Sequence, residues 1–304
     1  MAEKSIREGF EVWTIVSPDG QSKMSFVTEK GGVGSSLVLN GREWLYLHDF
    51  FWQKGPVERI PGGWPFLFPT CGRLERGIKN GVYLYDGHVY HLPSHGFGPR
   101  IPWVVLPDHT ASALTLELTD TEETRKAYPF LFRVRLTYRI EDNGLVCEQS
   151  YTNTGSRPMP YYAGFHPYFL TPPARQGKEK VMLDYRPVRR LVYNESLTDV
   201  VGEGPMPDLP VPITTPDINE ILSMVDENKE TRLIYPDGAE LHMKAEGAQN
   251  KDLFPYIQLY TMPDKPFFCV EPWMGFPNAL NTVSGAHWLA PGAEDKGVLK
   301  VWTT

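Results

Sequence analysis

Phe132-Arg-Val-Arg-Leu-Thr-Tyr-Arg-Ile140, then Asp142-Asn143-Gly144, then Leu145-Val-Cys-Glu-Gln-Ser-Tyr-Thr152 is the stretch on which the fold turns. In the first arm, apolar residues alternate with arginine and threonine, so one face of an extended chain enters a core while the other meets water. Asp142-Asn143-Gly144 breaks the alternation with residues suited to a tight turn, and a second extended arm follows. The pattern predicts an antiparallel hairpin.

The same punctuation recurs on both sides. Asn40-Gly41 separates Ser35–Leu39 from Arg42–Leu47, Asn80-Gly81 precedes Val82–Tyr85, Asp86-Gly87 precedes His88–Leu92, and Asp237-Gly238 separates Thr231–Tyr235 from Ala239–Ala245. Such pairs supply the positive φ that tight antiparallel turns require. Period two dominates, with no repeat at solenoid or propeller spacing. The expectation is an all-β chain, a large antiparallel β-sandwich formed as one domain over residues 1–304. One helix is expected, over Thr215–Asn228, where Ile218, Ile221, Leu222 and Val225 would share a face. The Pro- and Gly-rich stretch from Thr171 to Pro216 reads as a long connection inside the sandwich rather than a linker between domains.

With 41% hydrophobic and 22% charged residues in 304, the chain can build a substantial core. A formal net charge of −7 argues against a surface made to neutralise a polyphosphate, so nucleic acid is not an expected partner. Neither a secretory leader nor an apolar run of bilayer length is apparent, so no membrane partner is expected, and the cysteine usage makes a reducing cytoplasm the expected location. The three cysteines, Cys71, Cys147 and Cys269, lack C-x-x-C spacing, so no disulfide framework or thiolate zinc site is suggested. Cys71 is read as a packed, buried thiol rather than a nucleophile.

Four segments place polar or charged groups beside Gly, Pro and aromatics, as though the backbone approached a ligand there: Gly62–Arg73, His95–Arg100, Gly164–Phe169 and Phe268–Gly275. Glu271 follows the apolar run Phe267-Phe-Cys-Val270 and precedes Pro272, which places it where a buried strand should end. A carboxylate there is either paired with an arginine or functional. His166 lies among aromatics and is either a satisfied core histidine or a proton carrier; His95 has the same two readings. His88, His91 and His95 would align as metal ligands only on a helix, whereas Pro93 and the flanking residues make the segment extended, so no metal site is expected. Trp64 and Trp273 offer flat apolar surfaces suited to the C–H face of a pyranose, or serve the core.

Taken in order, Gly62-Gly63-x-Pro65-x-Leu67-Phe68-Pro69-x-x-Gly72-Arg73, His95-Gly96-Phe97, His166-Pro167-Tyr168-Phe169 and Glu271-Pro272 resemble the signatures of the aldose 1-epimerase family, including its glucose-6-phosphate 1-epimerase-like branch. The resemblance spans about residues 10 to 302 and implies a galactose mutarotase-like supersandwich that interconverts the α and β anomers of a hexose. It implies Glu271 as the base at the anomeric hydroxyl and His166 as the acid at the ring oxygen. Arg73 and His95 would hold the sugar, with Trp64, Trp273 and Arg100 as further substrate-binding candidates. It also implies an aspartate that hydrogen-bonds sugar hydroxyls, sought among Asp217, Asp237 and Asp252. The chemistry agrees: opening a hemiacetal needs one proton to leave O1 while another reaches O5, and no cofactor or metal is called for.

One departure bears on the substrate. The related branch reads His-Gly-Phe-Ala-Arg, whereas Gly98 and Pro99 stand here at the Ala-Arg positions and the arginine is Arg100. In an extended segment that shift turns the side chain away from the cleft, which favours an unphosphorylated aldose. Two other functions compete: a non-catalytic carbohydrate-binding protein on the same fold, and a metal-dependent β-barrel enzyme.

Overall fold

The central hairpin forms in full register, with Phe132–Glu141 paired antiparallel to Gly144–Asn153 from Phe132 opposite Asn153 to Glu141 opposite Gly144. Phe132, Val134, Leu136, Tyr138 and Ile140 are buried while the residues between them are partly exposed, as the alternation requires. The computed structural model describes residues 1–55, 59–77, 79–248, 252–282 and 284–304.

Among these residues the hairpin belongs to a nine-stranded sheet. Its order is Val104–Val105, Ala113–Thr119, Phe132–Glu141, Gly144–Asn153, Glu294–Thr303, Glu240–Gly247, Glu230–Ile234, Met182–Tyr185 and Val211–Pro212. A second sheet runs Val200–Gly204, Pro187–Tyr193, Ile221–Val225, Tyr256–Tyr260, Phe267–Trp273, Gly164–Phe165 and Phe66–Leu67, with Tyr168–Leu170 also paired to Phe267–Trp273. Five N-terminal strands, from Glu3–Arg7 to Arg42–Glu43, form a third. Aromatic contacts tie the layers together: Phe68 meets Phe132 at 4.9 Å and Phe66 meets Tyr151 at 6.1 Å between centroids, while Phe26 of the third sheet meets Tyr138 at 4.6 Å. This is the all-β sandwich that the turn pattern predicts. Among the described residues no helix is long and apolar enough to cross a membrane.

The helix expected over Thr215–Asn228 does not form. Pro216–Ile218 makes a single 3-10 turn, Asn219 is extended, Glu220 takes a left-handed φ of 55°, and Ile221–Val225 is a strand. Ile221, Leu222 and Ser223 are consecutively buried because this strand lies inside a sheet. Burial on both faces erases period two, and the remaining apolar spacing imitates a helix. Nor is the stretch from Thr171 to Pro216 a bare connection: it contributes Met182–Tyr185 and Val211–Pro212 to the first sheet and Pro187–Tyr193 and Val200–Gly204 to the second.

Candidate active site

The four segments singled out in the sequence become neighbours in space. Leu67 and Phe66 pair with Gly164 and Phe165, Gly164 pairs in turn with Trp273, and Phe68 bridges Gly96 on the outer side. The glycines mark backbone approaching backbone. A Cβ on Gly96, whose φ is 67°, would stand 2.2 Å from the Phe68 carbonyl oxygen, and one on Gly164 would stand 2.9 Å from the Pro272 carbonyl oxygen. Only glycine lets these strands lie so close.

Along Phe267–Trp273 every residue is buried, and successive side chains alternate, so Cys269, Glu271 and Trp273 share one face. Glu271 lies inside the strand, two residues before its end. Gly164 opposite Trp273 and Tyr168 opposite Cys269 frame an interruption that sets His166 across from Glu271. His166 is fixed by its backbone N–H to the Pro65 carbonyl at 3.0 Å and by stacking on Tyr168 at 4.7 Å.

These groups open into a cavity of about 610 Å³, within the roughly 300–1,000 Å³ usual for small-ligand sites. Glu271, His166, Arg73, His95, Arg100 and Trp273 all line it. Trp64 does not: its indole is fully buried in the core, edge-on to Phe165 and Phe169. Its place among the substrate-binding candidates is therefore corrected to packing. His88 and His91 sit exposed on their own strand, away from the cavity.

Arg100 requires a second correction. The segment is not extended but turned, with the Arg100 N–H donating to the Phe97 carbonyl at 2.9 Å. The turn carries the side chain into the cavity wall, where Nη1 donates to the Gly96 carbonyl at 2.7 Å. The ground for preferring an unphosphorylated aldose is thereby removed.

Nε2 of His166 and Oε1 of Glu271 are 3.5 Å apart, and among the described residues no Lys or Arg pairs with the carboxyl. Oε2 of Glu271, Nδ1 of His166 and Nε1 of Trp273 are buried without hydrogen-bond partners among the described residues. Burying an unpaired charge costs several kcal/mol, so dry surroundings push each group toward its neutral form. Burial, then the nearby charge of Glu220, raises Glu271 well above the carboxylate range; the neighbouring Trp273 indole N–H opposes this, although it falls short of hydrogen-bond geometry to either carboxyl oxygen. Burial pushes the His166 imidazole down to about 3. Both shifts favour the neutral forms, a carboxyl that keeps its proton and an imidazole that lacks a second one.

His95 has a left-handed φ of 64° and accepts from the Gly72 N–H at Nδ1, 3.1 Å away. Burial first, then His166, Arg100 and Arg73, hold it well below its ordinary value. A neutral ring that accepts at Nδ1 carries its proton on Nε2, so His95 is a fixed hydrogen-bond donor. Arg73 spends one guanidinium nitrogen on the Ser196 carbonyl at 2.9 Å, which ties it to a loop whose Leu197 also lines the cavity.

Glu220 and Gln258 also line the cavity, and the sequence reading missed both. Gln258 stands across from Glu271 in the neighbouring strand, accepts from the Tyr193 hydroxyl at 2.7 Å and donates to Glu220 at 3.4 Å. Glu220 was masked by the apparent helix, although a charged residue directly before a buried pair was a usable signal. Asp217, Asp237 and Asp252 do not line the cavity; Asp237 pairs with Arg42 and Asp252 with Lys229. The second carboxylate facing the pair is Glu220.

Residues 19–294 match the family model described as aldose 1-epimerase. The chain is 26% identical over 271 residues to chromosomal protein LacX of Lactococcus lactis subsp. lactis, covering 84% of this chain and 86% of that one. Among solved structures, a galactose mutarotase-like protein from Clostridium acetobutylicum superposes with a TM-score of 0.81 at 18% identity, covering 100% of this chain and 98% of that one. The Slr1438 protein from Synechocystis sp. PCC 6803 does so at 0.79 and 24%, covering 100% and 96%. At such identities the two structures speak for the fold alone.

Proposed function

The chain belongs to the aldose 1-epimerase family, and from that premise we propose that it interconverts the α and β anomers of a hexose with Glu271 and His166 as its acid/base pair. One observation carries the reading. A carboxyl and an imidazole face each other at 3.5 Å in a cavity of sugar size, both buried, and among the described residues no Lys or Arg is ion-paired to the carboxyl.

In this reading the anomeric hydroxyl donates to the unpartnered Oε2 of Glu271. Hydrogen bonds to a carboxylate favour its ionised form, so sugar binding moves the shared proton toward His166. Glu271 then takes the proton from O1 as His166 gives one to O5, and the C1–O5 bond breaks to leave an open-chain aldehyde. Rotation about C1–C2 presents the other face of the carbonyl. O5 attacks C1 while His166 takes back the O5 proton and Glu271 returns one to O1. The pair begins and ends with one proton. His95 donates from Nε2 to a sugar oxygen, Arg73 stabilises charge as the ring opens, Trp273 lies against the pyranose face, and Glu220 accepts from hydroxyls.

Charge supports one class of substrate. Arg59, Arg73, Arg100 and Lys265 line the cavity, against Asp49, Glu220 and Glu271. Burial also moves Glu220 toward its neutral form. This excess of cations supports a hexose phosphate as the preferred substrate. Polarimetry and exchange NMR on a panel of free and phosphorylated aldoses test the function: catalysed anomer exchange supports it, and binding without exchange would make the protein a carbohydrate-binding module.

A further inference from the structure

We propose that His166, Glu271 and Cys269 form a binding site for a soft divalent metal such as Zn²⁺ or Cd²⁺, and that occupancy shuts the catalytic pair down. The binding stands on geometry alone; the inhibition rests on the reading of the pair given above.

One nitrogen, one sulfur and one carboxylate oxygen from these residues lie within 4.8 Å of one another, all on buried side chains. Cys269 lies two residues before Glu271 on the same face of one strand, and His166 stands across from them. The 3.5 Å between Nε2 and Oε1 matches the edge of a tetrahedron with bonds of about 2.1 Å. Zn–S bonds of about 2.3 Å leave the thiol roughly 1 Å to close. Glu271 Oε2 has no protein partner, and the carboxyl has no arginine or lysine to compete with an ion among the described residues.

The donor set decides which ion. A thiolate beside an imidazole selects Zn²⁺ or Cd²⁺ over Mg²⁺ or Ca²⁺, which prefer all-oxygen shells. As the ion binds, the Cys269 thiol and the Glu271 carboxyl release their protons to solvent, and two negative charges then balance the dication. Three protein ligands leave one position open to the cavity for water or a sugar hydroxyl. Both proton carriers are then held by the metal. Neither the base assigned to O1 nor the acid assigned to O5 is then free to move a proton.

The test begins with chelator-treated protein titrated with Co²⁺, then Zn²⁺. The expected result is one ion per chain, a near-ultraviolet thiolate-to-cobalt charge-transfer band, displacement of Co²⁺ by Zn²⁺, and no displacement by excess Mg²⁺. Cys269→Ala should lose the band and weaken Zn²⁺ by more than the roughly tenfold to hundredfold that loss of an outer partner removes. Anomer exchange should fall with Zn²⁺ occupancy in the wild type, return with EDTA, and resist the same Zn²⁺ concentration in Cys269→Ala. Absence of the band in the wild-type protein, or equal Zn²⁺ affinity in Cys269→Ala, would overturn the site. A metal-binding protein with no exchange on any aldose would keep the site and sink the catalytic reading instead.

Discussion

Nε2 of His166 lies 3.5 Å from Oε1 of Glu271, too long for a strong direct hydrogen bond and short enough for both to act on one ring edge. If His166 carries the proton to O5, the ring oxygen of a His166→Asn enzyme must leave as an unstabilised alkoxide. The expected fall in kcat is about a hundredfold or more, with KM little changed. Saturation-transfer NMR at several pH values checks it, and partial recovery as pH falls would mark bulk acid replacing the imidazole.

Glu220 holds a left-handed φ of 55° that a glycine would adopt without strain, and it faces the cavity beside Gln258. Such strain costs on the order of 1 kcal/mol and is retained where function needs it. Glu220→Gly is expected to raise the urea midpoint while KM for the sugar rises by up to about tenfold, the loss of one hydrogen bond to the Glu220 carboxyl. Unchanged KM would remove Glu220 from the binding wall.

Arg100 reaches the cavity from a turn closed between Phe97 and its own N–H. The preference for glucose 6-phosphate over glucose in kcat/KM is expected to be about tenfold or more, the worth of a charge-assisted contact. Arg100→Ala should abolish it. Equal ratios in wild type and variant would place the phosphate elsewhere or assign the enzyme to free sugars.

Lys178 is fully buried, and its ammonium donates to Thr261 Oγ1 at 2.9 Å and to the carbonyls of Met262 and Lys265 at 2.7 and 2.6 Å. Met262 and Lys265 line the cavity, so this lysine pins one of its walls. Burial lowers the amine from 10.5 to about 8. Between pH 8 and 10.5 the folded protein has lost a proton that the unfolded chain still holds, so Lys178 makes stability rise with pH across that window. Urea midpoints measured over the window should climb more steeply in wild type than in Lys178→Met; parallel curves would show that the amine does not titrate there.

The turns were legible because their residues have a local reason to be there. Asn40 and Asp86, each followed by glycine, take φ values of 52° and 50°, which is why Asn-Gly and Asp-Gly signal hairpins. The segments bearing Glu271 and His166 were legible because polar residues in apolar runs need an explanation. Trp64 was misread because an indole beside a signature can serve wall or core equally well, and only packing decides. Glu220 was hard to find because Ile221, Leu222 and Ser223 are consecutively buried, and the run lost the alternation that would have marked it as a strand. Arg100 was misplaced because a turn, unlike an extended strand, does not preserve the alternation of faces on which its orientation was inferred.

The central claim is that a base at Glu271 opens the ring. Glu271→Gln keeps shape and volume and removes the base, so it separates chemistry from binding. Exchange NMR of an equilibrated anomer mixture, with sugar affinity measured on the same preparation, tests it directly. The account predicts an exchange rate lowered by about two orders of magnitude or more with affinity largely kept. Near-normal exchange in Glu271→Gln would contradict it.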